Sequence, residues 1–84
     1  MPKKYPPLSY RETVGILEAL DFILASTKGS HEQWEGRTKG LPRKVTLKKG
    51  IEYDERDVRS HIAQAGVSRE EYYGSTARAS RKIR

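Results

Sequence analysis

Apolar residues near the start of the chain recur at the spacing of one helix face. They follow the i, i+4, i+7 pattern at Tyr10, Val14 and Leu17. Ser9 and Glu12 precede this stripe with the spacing of a capping box, in which each side chain accepts a hydrogen bond from a backbone N–H at the helix start. We therefore predict a first helix from Tyr10 to about Leu20.

The next segment has the composition of a β-hairpin. Phe22 to Thr27 is rich in apolar and β-branched residues, Lys28-Gly29 is a turn signal, and Ser30 to Glu35 follows as a second strand. Its Trp34 is expected in the core rather than as a stacking platform for a base. Gly36 to Pro42 predicts a polar loop that is long enough to be mobile.

A third strand is predicted where apolar and polar residues alternate, from Arg43 to Lys48. Val45 and Leu47 fall on one face, and Lys44 and Lys48 fall on the other. This alternation is typical of a half-buried antiparallel strand whose lysines point outward.

A second helix is predicted between Asp54 and Gly66. Asp54 is a favourable N-cap, Asp57 occupies the third position of the first turn, and Gly66 is a typical left-handed terminator. The apolar stripe consists of Val58, Ile62 and Ala65. Ser68 to Glu71 then forms another capping box, which starts a short helical turn. Its last residues, Tyr72 and Tyr73, are expected to pack against the sheet edge.

These elements predict an α+β fold with the order α-β-β-β-α and a short C-terminal helical turn. A three-stranded antiparallel sheet with both helices on one face buries both apolar stripes and leaves the other sheet face to solvent or a ligand. We assign residues 8–74 to this domain, residues 1–7 to an extended N-terminal arm and residues 75–84 to a flexible basic tail.

Composition narrows the class of protein further. A chain of 84 residues has room for one small domain. Because it contains no Cys, a disulfide framework, a thiolate nucleophile and a Cys-based zinc site are excluded. No apolar run approaches the ~20 residues that cross a bilayer, and the N-terminus lacks the apolar stretch of a signal peptide. We therefore expect a soluble, cytoplasmic protein with no membrane partner.

The net charge of +6 is distributed unevenly along the chain. Lys28 to Gly50 has seven basic residues against two acidic ones, and Ser75 to Arg84 adds four basic residues and no acid. Ile51 to Gly74 instead carries three more acidic than basic residues. Concentrated positive charge attracts polyanions, of which nucleic acid is the commonest, although a solvated face with a solubilising tail gives the same pattern.

His31 is the strongest candidate for catalysis. It follows Lys28-Gly29-Ser30 at the start of a strand in the basic part of the chain. An imidazole exchanges protons near neutral pH, so it can take the proton from a ribose 2′-hydroxyl while lysines stabilise charge on the phosphate. The other histidine, His61, lies in a different predicted element, and we therefore expect no metal site and no cofactor. A surface histidine without any catalytic role is the alternative.

The run from Lys28 to Trp34, KGSHEQW, resembles the glycine-serine-histidine signature of HicA-type toxins, the YcfA-like mRNA interferases. Leu8 to Phe22 resembles the family's first helix and its exit into the first strand. Arg43 to Leu47 resembles the third strand, and Arg59 to Tyr72 resembles the second helix with the family's characteristic ending. Together these segments cover about Leu8 to Tyr73 in the family's order.

This resemblance implies a fold like that of double-stranded-RNA-binding domains, ribonuclease activity on mRNA and a HicB-like antitoxin that masks the active histidine. It makes His31 the catalytic residue and assigns Gly29 and Ser30 to the turn that presents it. The expected phosphate contacts are Lys28, which is close in sequence, and Lys44 and Lys48, which strand alternation places on the outer face.

Two positions depart from the family pattern. Many members have a second histidine directly after the first, whereas this chain has Glu32. A carboxylate close to the scissile phosphate would either strengthen the basicity of its imidazole neighbour or repel an anionic substrate. The exit of the third strand, often marked by Pro and His in the family, reads Lys48-Lys49-Gly50.

Two other functions stay open. The first is a non-catalytic RNA-binding module of the same fold, which would hold the RNA backbone with its basic strand face and tail. The second is a protein-interaction domain whose basic face binds an acidic partner. RNA cleavage distinguishes the ribonuclease from both of these alternatives.

Overall fold

The structure, a computed structural model, describes residues 5–75. Its elements in chain order are helix α1 (Tyr10–Ala19), strands β1 (Ile23–Lys28), β2 (His31–Thr38) and β3 (Leu41–Lys48), and helix α2 (Glu55–Ala65). A short third helix, α3, covers residues 69–75. Most of the expected basic tail lies outside the described residues; its first member, Ser75, is helical and buried.

Local capping signals begin and end the two long helices as predicted. The Ser9 hydroxyl accepts a hydrogen bond from the Glu12 N–H at 3.0 Å, and the Glu12 carboxylate accepts one from the Ser9 N–H at 2.9 Å. Asp54 and Asp57 form the same reciprocal pair at the start of α2. Gly66 ends α2 with a φ of 74°, in the left-handed region. Both predicted helices are therefore confirmed.

The three strands form one antiparallel sheet in the order β1-β2-β3, which confirms the predicted fold class. The polar loop predicted over Gly36 to Pro42 is wrong, because β2 runs to Thr38 and β3 begins at Leu41. Only Lys39-Gly40 turns, with positive φ at both residues, a geometry that matches the twist of paired antiparallel strands. Pro42 fits inside β3 because an edge strand tolerates a residue that has no N–H donor.

Both long helices pack on the same face of the sheet. The core contains Ile16 and Leu17 from α1, Val58 and Ile62 from α2, and Trp34, Val45 and Leu47 from the sheet. Trp34 is 5% exposed, which confirms its expected place in the core. Buried and accessible residues alternate along the second half of β3, as predicted for Val45 and Leu47. Consequently the other sheet face, with its lysines, is left accessible.

The two C-terminal tyrosines have partners other than the expected sheet edge. Tyr72 is fully buried in the helix-covered core. Tyr73 donates a hydrogen bond from its hydroxyl to the Pro6 carbonyl at 2.7 Å. Nearby, the Arg69 guanidinium lies 5.9 Å from the ring centroid of Tyr5. The last helix therefore packs against the N-terminal segment. Within residues 5–75, no helix combines the length and the apolar character that a membrane span requires.

Candidate functional site

The sheet face opposite the helices carries His31 in a row with two lysines. The β1–β2 register pairs Lys28 with His31, and the β2–β3 register pairs His31 with Lys48. Directly paired residues of antiparallel strands share a face and have Cβ atoms about 4.5–5.5 Å apart. His31 therefore lies between two ammonium-bearing side chains, and all three residues are exposed.

The turn before His31 is held against the end of β3. Gly29 has a φ of 61°, which a glycine adopts without steric cost. The carbonyl of Ser30, the second turn residue, accepts a hydrogen bond from the Lys49 N–H at 2.7 Å. The Tyr53 hydroxyl donates to the carbonyl of Lys48 and so holds the same end of the strand. These bonds bring Lys49, which was not among the predicted site residues, to the end of the sheet where His31 lies.

Lys44 shares this face but is separated from the histidine row. It lies four residues before Lys48 along β3, which corresponds to about 14 Å at ~3.4 Å per residue. Its Nζ atom is 3.8 Å from a carboxylate oxygen of Glu35, the residue paired with it across the strands. Both side chains are largely accessible, so water weakens this attraction. Of the predicted site residues, Lys44 alone lies apart from the others.

Glu32 points to the opposite side of the sheet from His31. It is 3% exposed, and the Tyr10 hydroxyl lies 2.8 Å from both of its carboxylate oxygens, between which the donated proton is shared. Trp34 Nε1 donates a further bond at 3.1 Å. The expectation that this carboxylate lies beside the His31 imidazole is wrong, because successive strand residues point to opposite faces.

The buried carboxylate affects the tyrosine that binds it. Burial, followed by the hydrogen bond to Glu32 and its negative charge, raises the pKa of Tyr10 above its ordinary value. Tyr10 therefore stays a hydrogen-bond donor at neutral pH. This bond joins α1 to β2 directly beneath the outer sheet face, at the residue that follows His31.

His61 has no place in the histidine row. It lies on α2, is 6% exposed, and meets the Tyr53 ring edge-on with centroids 4.7 Å apart. Burial lowers the pKa of His61, and the charge of Asp57 partly opposes this shift. Among residues 5–75 there is no group of three or more His, Asp or Glu side chains arranged to hold a metal ion.

The outer face also presents Arg37, which lies within the segment that was predicted to be a loop. Because β2 continues to Thr38, the alternation that begins at His31 puts Gln33, Glu35 and Arg37 on the same face. The Arg37 Nη1 group donates a hydrogen bond to the Gly40 carbonyl at 3.2 Å, which holds the guanidinium over the hairpin. Arg37 lies six residues after His31, and this even spacing is the sequence signal that places both residues on the same face of a strand.

The arrangement provides an accessible base and cations on one face of the sheet. Within the part of the chain that the structure describes, no hydrogen bond or ion pair joins the His31 side chain to another residue. Its imidazole nitrogens are thus open to a ligand, while Lys28 and Lys48 are placed to attract an anionic group beside it. This combination suits proton transfer next to a phosphodiester.

Comparison with known proteins adds no family assignment. No protein-family model, curated protein or solved structure matches this chain. The resemblance to HicA-type toxins therefore depends on the sequence motifs, alongside the α-β-β-β-α order of the fold.

Proposed function

We propose that this protein is a toxin ribonuclease of the HicA type, an mRNA interferase in which His31 is the general base. The observation that carries the proposal is the row Lys28-His31-Lys48, which the strand register places on an exposed sheet face. A surface histidine that has no function does not require the lysines that lie on both sides of His31. A histidine that acts on a phosphodiester benefits from both.

In the proposed reaction, the His31 imidazole takes the proton from a ribose 2′-hydroxyl as the 2′-oxygen attacks the adjacent phosphorus. The bond from phosphorus to the 5′-oxygen breaks, leaving a 2′,3′-cyclic phosphate and a 5′-hydroxyl whose proton comes from water. Lys28 and Lys48 stabilise the charge that develops on the non-bridging oxygens. Neither a metal ion nor a cofactor takes part in this proposal.

We further propose that a HicB-like antitoxin covers this face in the inactive complex, and that the protein acts on mRNA in the cytoplasm. An inhibitor that blocks the reaction has to exclude RNA from the histidine row. The exposed cations of that row also suit an acidic surface on the partner.

A second candidate function is RNA binding without cleavage. It is favoured by the isolation of His31, whose side chain has no hydrogen-bond partner to orient it among residues 5–75. Catalytic imidazoles are commonly oriented by a second group, and substrate itself would have to supply that contact here. The cationic face serves binding whether or not the imidazole transfers a proton.

Cleavage of a long RNA by purified protein, with a chelator present, tests the proposal. His31→Ala removes the base and is expected to slow cleavage about 10²–10⁴-fold, the usual contribution of a general base. Arg56→Ala, on the exposed side of α2, is the matched control and should cleave like the wild type. Equal rates for His31→Ala and the wild type would disprove the assigned role.

The same preparations separate the alternatives. Intact RNA with tight binding by the wild type identifies a non-catalytic module and overturns the ribonuclease. An absence of RNA affinity at low salt, together with co-purification of an acidic protein, identifies the protein-interaction domain. A 2′,3′-cyclic phosphate at the new RNA end supports the reaction as written.

A further inference from the structure

Cations on the outer sheet face continue well beyond the histidine row. Along β2 the face presents His31, Gln33, Glu35 and Arg37, which are paired across the strands with Lys48, Thr46, Lys44 and Pro42 of β3. Lys39 follows in the turn at the far end. We name this surface the outer track. It has basic side chains at both ends and in between.

The length of the outer track exceeds what one phosphate needs. His31 and Arg37 are six residues apart on one strand, which corresponds to about 20 Å at ~3.4 Å per residue. One strand of B-DNA carries a phosphate about every 3.4 Å of helix axis, so about 20 Å corresponds to at most about six nucleotides, and to fewer in an extended single strand. A substrate that contacts only the histidine row would leave Arg37 and Lys44 unused.

An open cleft lies at the far end of the outer track, beside the β2–β3 turn. Its lining includes Glu35, Arg37, Pro42 and Lys44 from the outer face, while Gly36 and Arg43 belong to the helix-covered face. Arg37 is held in place by its bond to the Gly40 carbonyl, and its other N–H groups are available to a ligand. A positioned guanidinium is well suited to phosphate oxygens.

We propose that the outer track binds single-stranded RNA extending from the scissile phosphate to the cleft at Arg37. The inference rests on the proposed function, because the histidine row defines where cleavage occurs. Adjacent strands lie about 4.8 Å apart, so the cations of β2 and β3 form a narrow strip that suits one phosphate backbone. No Trp, Tyr or Phe lies among the paired outer-face residues, and binding along the track therefore depends on phosphates rather than base stacking.

Substitution of Glu35 is expected to have the opposite effect on RNA binding from substitution of Arg37. Its carboxylate lies between the histidine row and Arg37 on the same strand, and it is 49% exposed. A bound RNA strand passes this negative charge, which Lys44 offsets only in part at 3.8 Å. Removing the charge should therefore strengthen binding of RNA that crosses Glu35 and have little effect on RNA that ends before it.

The test compares oligouridylates of three and twelve nucleotides, with fluorescence anisotropy as the readout and His31→Ala as the background that prevents cleavage. At about 50 mM salt, adding Arg37→Ala should weaken binding of the long oligonucleotide about fivefold and change the short one less than about twofold. Adding Glu35→Gln should tighten only the long one by a similar factor. Arg11→Ala removes an exposed cation from α1, on the other side of the sheet, and should change neither.

Several outcomes would overturn the outer track. Equal affinities for the two lengths, or unchanged affinity for the long oligonucleotide in both variants, would show that RNA does not reach Arg37. Preference for a twelve-base-pair duplex would point to recognition of duplex shape instead. An acidic protein whose binding depends on Arg37, without any RNA binding, would make the track a protein interface. His31-dependent cleavage of long RNA would survive the first two results, so failure of the track is distinct from failure of the ribonuclease.

Discussion

The two histidines differ in chemistry because their surroundings differ. His31 is exposed between two lysines, whereas His61 is buried on the inner side of α2 with its ring perpendicular to that of Tyr53. Within the described residues, the buried Nδ1 atom of His61 has no hydrogen-bond partner. A charged imidazole is costly to bury, so burial lowers the pKa of His61, and Asp57 offsets part of that shift.

This environment makes folding stability sensitive to acid. Because the pKa of His61 is lower in the folded state than in the unfolded chain, the unfolded chain binds more protons once the pH falls below about 6.5. Stability should therefore decrease from that point down to the lowered pKa. His61→Phe keeps a ring beside Tyr53 and removes the titration, so this part of the pH dependence should disappear. Urea unfolding at about pH 7.5 and about pH 5 measures it. An unchanged difference between the two pH values in His61→Phe would contradict the assignment.

At the scale of the elements, Gly36 is a strand residue that makes room for an aromatic ring. A Cβ atom at this position would stand 2.7 Å from Cγ of Phe22 and 2.8 Å from Cδ1. Phe22 is 2% exposed and belongs to the core, so its ring cannot move aside freely. Glycine in a strand commonly marks such a close approach.

Gly36→Ala is therefore expected to lower the free energy of unfolding by about 1–3 kcal/mol, the usual cost of overpacking. In a Phe22→Ala background the same substitution should cost much less, because the Cγ, Cδ1 and Cδ2 atoms that the new Cβ meets are gone. Chemical denaturation of the four proteins gives the coupling energy. Additive losses would show that the ring is not the cause. Gly50→Ala serves as a comparison: no atom lies within 4 Å of its Cβ, and its cost comes from a φ of 81°.

The same strand shows why some elements were predictable from sequence and others were not. Both long helices and their caps depend on neighbours three or four residues away, so Ser9 and Asp54 identified them correctly. Gly36 and Pro42 suggested a loop, but their roles are tertiary. Gly36 lies against the Phe22 ring, and Pro42 occupies an edge strand. A local sequence pattern shows neither the contact with Phe22 nor the place of the strand in the sheet.

The candidate site was predictable to a similar extent. Alternation placed Lys44 and Lys48 outward, and the motif before the strand selected His31. The row Lys28-His31-Lys48 crosses three strands, so its prediction requires the register in which the strands pair. Tight turns define that register only once the lengths of the turns are known. The inward direction of Glu32 follows from the same pleat, but its partners Tyr10 and Trp34 come from the assembled fold.

Among residues 5–75, basic side chains are concentrated on the outer face of the sheet. That face carries Lys28, Arg37, Lys44 and Lys48, with Glu35 as the acid among its paired residues. On the other side, α2 carries acidic and basic side chains in equal number, Glu55 and Asp57 beside Arg56 and Arg59. A polyanion is attracted by the local field of the sheet, so the position of a charge matters more than the overall total of +6.

Two variants with the same net charge should therefore behave differently toward RNA. Lys44→Ala removes a cation from the outer face, and Arg56→Ala removes one from the exposed side of α2. Each phosphate contact on a single strand contributes about 0.7 to the slope of log affinity against log salt concentration, because binding releases counterions. In the His31→Ala background, Lys44→Ala should reduce the magnitude of this slope by about that amount, whereas Arg56→Ala should leave it unchanged. Titrations of one long oligonucleotide over a range of salt concentrations measure both slopes. If the slopes fall equally, RNA responds to total charge alone and Lys44 makes no phosphate contact.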